Sequence, residues 1–98
     1  MISYTPRAVS QVEDLKDYYD QKGRREAILN LERALTEAEA TIQANPTVGL
    51  QAPRPYPNMA RRGWLWRKAG HYWVGWRQHP VLVIAAVIYD QADMPNRI

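Results

Sequence analysis

The chain has 98 residues, 46% of them apolar and 23% charged, which is enough for one hydrophobic core and argues against disorder, a low-complexity repeat or a second domain. Its net charge of +3 conceals an asymmetry: residues 1–45 carry six basic and eight acidic side chains and residues 46–98 seven basic and two acidic, so the second half points to an anionic partner, nucleic acid or an acidic polypeptide. The absence of cysteine excludes disulfides and thiolate chemistry, and the longest apolar run, residues 81–89, falls far short of the ~20 residues of a spanning helix, so the expectation is a cytoplasmic protein with no membrane contact.

Ile2, Ser3 and Tyr4 form a short candidate strand. Thr5 and Pro6 then read as a helix start, with threonine as N-cap and proline at the first helical position, where its missing N–H costs nothing. Ala8, Val12, Leu15 and Tyr19 recur on one stripe of that helix, and Gly23 ends it. A second helix from about Arg25 to Ala44 carries Ile28, Leu31, Leu35, Ala38 and Ile42 in a heptad-like seam and stops at Asn45-Pro46. So short a link predicts an antiparallel helical hairpin.

Residues 45–60 hold Pro46, Pro53, Pro55, Pro57 and Gly49, which predicts an extended surface connection. Three strands follow, over residues 63–68, 71–77 and 81–89, with Ala69-Gly70 and Gln78-His79-Pro80 as turns. The expected fold is therefore α+β, a small antiparallel sheet with an N-terminal helical hairpin packed on one face, in the order β-α-α-β-β-β, as one domain over residues 1–98.

All four tryptophans fall within residues 64–76, among Arg67, Lys68, His71, Tyr72 and Arg77. Strand alternation places Leu65, Arg67, Tyr72, Val74, Trp76, Leu82, Ile84, Ala86 and Ile88 on one face. The opposite face takes Trp64, Trp66, Lys68, His71, Trp73, Gly75, Arg77, Val81, Val83, Ala85, Val87 and Tyr89. The first set is the more apolar and suits the helices, so the aromatic and cationic face is expected to stay open as a docking surface, with burial under residues 45–60 or self-association as the alternatives. Tryptophan, tyrosine and arginine are the residue types that anchor interfaces, which makes Arg61, Arg62, Trp64, Trp66, Trp73, Arg77 and Tyr89 the candidate partner-binding residues.

Several short stretches, taken in order, resemble the RelE/ParE superfamily of toxins from type II toxin–antitoxin modules. They are Ala8 with Val12-Glu13-Asp14-Leu15 and Tyr18-Tyr19, Asn45-Pro46 with Gly49, Arg61-Arg62, the run His71-Tyr72-Trp73-Val74-Gly75-Trp76, and Val87-Ile88-Tyr89-Asp90 followed by Asp93. The resemblance covers the whole chain. It implies a small bacterial toxin held inactive by a cognate antitoxin whose flexible segment wraps around it, and no cofactor or metal.

The superfamily divides into RelE-like members, which cleave messenger RNA on the ribosome, and ParE-like members, which inhibit DNA gyrase by binding it. RNA cleavage by 2′-hydroxyl attack needs a proton acceptor, a proton donor and cations around the charged phosphorane. The strand position that often carries arginine in RelE-like members is Trp73 here, and after Tyr89 the chain reads Asp90-Gln91-Ala92-Asp93 with no arginine before Arg97. These departures favour the ParE-like branch and a gyrase target. If the chain is a ribosome-dependent endoribonuclease instead, Lys68, His71, Arg77 and Tyr89 are the residues left to do the chemistry. A third reading is a nucleic-acid binder that stacks bases on tryptophan. No glycine-rich phosphate loop or paired-histidine metal motif occurs.

Overall fold

The computed structural model describes residues 2–91. Its elements are β1 (Ser3–Tyr4), α1 (Pro6–Gln21), α2 (Arg25–Ala44), a single 3-10 turn at Pro57–Met59, β2 (Trp64–Ala69), β3 (Tyr72–Arg77) and β4 (Val83–Tyr89). This is the expected α+β order. Asp93 and Arg97 lie outside the described residues.

Thr5 is extended and its hydroxyl accepts from the Ala8 N–H at 3.1 Å, with Pro6 opening α1 as the pairing of N-cap and proline predicts. Gly23, at φ +66, makes the reversal into α2 in the left-handed region that glycine enters without a Cβ clash. Ala8 and Tyr19 of α1 and Leu31, Ala34, Leu35, Ala38 and Ile42 of α2 are buried, so both apolar stripes face the sheet.

The sheet runs β1-β4-β3-β2, with β2, β3 and β4 antiparallel. The sheet is mixed rather than wholly antiparallel, because β1 pairs parallel to β4 through Ser3↔Val83 and Tyr4↔Ile84. Two further corrections concern register. Ala69 pairs with Tyr72, so the hairpin turn is Gly70-His71, with Gly70 at φ +57, and Lys68 faces Trp73 rather than His71. That two-residue shift keeps every side chain of β2 and β3 on its expected face.

In β4 the expectation fails. Gly75 pairs with Ala86 but Trp76 with Ile84, leaving Ala85 as a bulge residue. One extra residue exchanges the faces of everything beyond it. Val87 and Tyr89 therefore join Leu65, Ala69, Tyr72, Val74, Trp76 and Ile84 under the helices, while Ala86 and Ile88 turn to the tryptophan side.

The helix-side core closes on a buried hydrogen bond between the Tyr19 and Tyr72 hydroxyls, 2.6 Å apart, and Tyr4 ties β1 to α2 by donating to Glu39 Oε2 at 2.6 Å. Burial first, and these hydrogen bonds second, push the Tyr4 and Tyr72 hydroxyls well above their ordinary value of 10.0. A folded pKa raised above the unfolded one means that the unfolded chain loses its proton first. The stabilisation is then complete below pH 10 and drains away as the pH rises past it. Urea unfolding should accordingly show a midpoint that is flat up to about pH 9 and falls above about pH 10, with a shallower fall in Tyr72→Phe.

Candidate partner-binding site

The connection after α2 decides what the tryptophan face can do. Pro46 accepts a hydrogen bond from Trp76 Nε1 at 2.9 Å, and Leu50 pairs with Trp66 at the outer edge of β2, its N–H donating to the Trp66 carbonyl at 2.7 Å and its carbonyl accepting from the Trp66 N–H at 2.8 Å. The chain thus passes from the helix side around the β2 edge to the opposite face. Gly49 is required on the way: a Cβ there would stand 2.6 Å from the Trp76 ring.

Beyond that edge, the strap formed by residues 51–60 lies over the tryptophans. Pro53 and Met59 are buried, and Met59, with Leu50 and Tyr56, packs on Trp66, Trp73, Ala86 and Ile88. Trp66 lies across Gly75, where a Cβ would come within 2.9 Å of its ring. Trp66 is 0% and Trp73 3% exposed. The expectation of an open face is corrected here: the centre of the tryptophan surface is a second small core, closed by the proline-rich connection and not by the helices.

One end of that face stays accessible. Trp64 is half-buried, stands 5.7 Å from Trp66 ring to ring, and carries the Arg61 guanidinium over its own ring at 5.6 Å. Arg77 faces Trp64 across the strand pair, and Arg61 and Arg62 are exposed just before β2. Among the described residues no carboxylate lies within ion-pair distance of these three arginines, and Arg77 Nε is buried without a partner. A buried donor left unmade costs about 1–3 kcal/mol. The result is a cationic and aromatic rim suited to carboxylates.

The four residues considered for RNA cleavage do not converge. Lys68 lies at the far end of the same face, its Nζ 2.9 Å from Asp90 Oδ2, with His71 Nδ1 at 4.0 Å from that oxygen. Arg77 is five residues along β3 from Tyr72, about 17 Å at ~3.3 Å per residue. Tyr89 is on the helix side, because of the Ala85 bulge, with its ring 5.9 Å from that of Tyr72. Lys68, His71 and Asp90 do form a group, held by the Asp90 N–H donating to the His71 carbonyl at 2.9 Å, but it is a cross-strand ion pair next to a turn. Among the described residues no group of three or more histidine or acidic side chains is placed to hold a metal.

The sequence reading missed a groove between α1 and the end of β4, lined by Gln11, Asp14, Leu15, Tyr18, Arg24 and Tyr89 among others, with a volume of about 530 Å³. The Tyr18-Tyr19 pair at the end of α1 was its available signal: Tyr19 is buried and Tyr18 is 52% exposed. Compared with known proteins, the chain matches no family model and no curated relative.

Proposed function

We propose that this chain is the toxin of a type II toxin–antitoxin module, of the ParE-like branch, which acts in the cytoplasm by binding DNA gyrase and is neutralised by a cognate antitoxin with an acidic segment. The motif order described above suggests the family, and the β-α-α-β-β-β architecture with its helical hairpin on one face agrees with it. The observation that carries the choice between branches is the scatter of Lys68, His71, Arg77 and Tyr89 over two ends and two faces of the sheet, against the unpaired cations gathered around Trp64. General acid–base catalysis needs its groups within hydrogen-bond reach of one substrate, whereas binding needs only a complementary patch. Among the described residues no helix is long and apolar enough to cross a membrane.

Expression of the chain from an inducible promoter should arrest bacterial growth, and Lys68→Ala and His71→Ala should arrest it as well as the parent does. Loss of arrest in either variant, with the protein still folded by circular dichroism, would transfer the reading to the RNA-cleaving branch. No arrest by the parent chain would remove the toxin reading altogether.

A further inference from the structure

The strap over the tryptophans closes a core without being bonded to it. Pro53, Pro55 and Pro57 have no N–H to donate, and the backbone bonds that the strap does make are local. The Tyr56 N–H donates to the Pro53 carbonyl at 2.9 Å, the Met59 N–H to the Tyr56 carbonyl at 2.9 Å and the Ala60 N–H to the Pro57 carbonyl at 3.4 Å. Among the described residues no hydrogen bond or ion pair runs from residues 51–60 to the rest of the chain. Bonds three residues apart stack Pro53, Tyr56 and Met59 at the spacing of a 3-10 turn, and Pro53 and Met59 are the strap's buried side chains. The strap is thus a small self-bonded piece that rests on the sheet by side-chain packing.

The closed position also leaves a donor unmade. Trp66 Nε1 is buried with no acceptor, whereas Trp76, buried to the same extent, donates its Nε1 to the Pro46 carbonyl. The atoms of Trp66 that lie against Gly75 are Cε3, Cζ3 and Cη2, so the opposite edge of the indole, with Nε1, turns away from β3 toward the β2 edge that the strap crosses. An unmade buried donor destabilises the closed strap, and water meets it once the strap lifts. Both ends of the strap suit a hinge. One follows directly on the Leu50–Trp66 backbone pair, and the other leads to Gly63, at φ +82 with no atom within 4 Å of the place a Cβ would take.

We propose that residues 51–60 are a lid that lifts as one piece while the helices and the sheet stay folded. Segments with few buried contacts and no hydrogen bonds to the body of a domain are the ones that open locally, below the cost of global unfolding. Lifting adds Trp66 and Trp73 to the Trp64 end that is already accessible, so the closed lid withholds two of the three tryptophans on that face. The inference concerns the chain by itself and stands or falls independently of growth arrest.

The chain has no cysteine, so one introduced thiol reports its own surroundings. Met59→Cys, in the strap, and Ala34→Cys, in the helix-side core, replace residues that are each 5% exposed. In excess iodoacetamide the Met59→Cys thiol should be alkylated about 100-fold faster or more than the Ala34→Cys thiol. Its rate should also be insensitive to dilute urea, which speeds the Ala34→Cys reaction by promoting global unfolding. A second reading needs no variant: in the parent chain, labelled with nitrogen-15 and moved into deuterium oxide, the Trp66 indole N–H should exchange about tenfold faster or more than the Trp76 indole N–H. Equal alkylation rates with the same urea dependence, in variants folded by circular dichroism, would overturn the proposal. So would a Trp66 indole that exchanges as slowly as that of Trp76, since either result means that the strap leaves the sheet only when the whole chain unfolds.

Discussion

Trp66→Ala should lower the unfolding free energy by about 3–5 kcal/mol, the usual cost of deleting a fully buried large aromatic side chain. Trp66 is 0% exposed, lies over Gly75, and is roofed by Met59 and Leu50, so its removal empties the middle of the second core. The strap should loosen at the same time. Leu50 is held to the Trp66 backbone by bonds of 2.7 and 2.8 Å, which the substitution leaves in place chemically but deprives of packing. Chemical denaturation measures the stability, and hydrogen exchange at the Leu50 amide reports the strap. Because a small domain has only ~5–15 kcal/mol to lose, Trp66→Phe provides a milder companion with a smaller loss in the same direction. A loss below about 1 kcal/mol in Trp66→Ala would mean that residues 51–60 do not close this face.

The second large effect concerns the rim. Arg61→Glu combined with Arg77→Glu should weaken binding of an acidic partner about 100-fold or more and abolish growth arrest, because two desolvated anchors of this type each contribute on the order of 2 kcal/mol and reversal adds repulsion. Arg61 is exposed and its guanidinium lies over the Trp64 ring, outside the buried core, so its replacement leaves the core intact. Trp64→Ala should act in the same direction with a smaller loss. Arg54→Glu, at an exposed strap position, serves as the charge control and should have little effect. Retained arrest in the double variant would place the target-binding surface elsewhere.

Much of this fold is legible in the residues. The Thr5-Pro6 start, the Gly23 reversal and the Asn45-Pro46 stop mark both helices because caps and prolines act through the local backbone, where sequence is decisive. The strands are legible as well, but the Ala85 bulge is not. Two consecutive alanines carry no bulk to reveal which of them leaves the ladder, and the apolar run from Val83 to Ile88 reads equally well in either register. That one residue accounts for the exchange of Val87 and Tyr89 with Ala86 and Ile88, and hence for placing Tyr89 on the wrong face.

The site was legible in its rim and not in its centre. Arg61 stacks on Trp64 and Arg77 pairs opposite it, with Arg62 exposed beside Arg61 in the chain. Trp66 and Trp73 do not join them, because the connection that covers them announces only its prolines. Which face a proline-rich segment crosses depends on tertiary fit, here the Trp76 indole bond to Pro46 and the space that Gly49 leaves beside that ring. The groove beside β4 escaped for the same reason as Tyr89, since both depend on the bulge.

The most direct test of the binding account sets two reactions side by side with one preparation of the purified chain: supercoiling of relaxed plasmid by DNA gyrase, and integrity of a messenger RNA on programmed ribosomes. The account predicts inhibited supercoiling with intact message. Cut message with unimpaired supercoiling would contradict it.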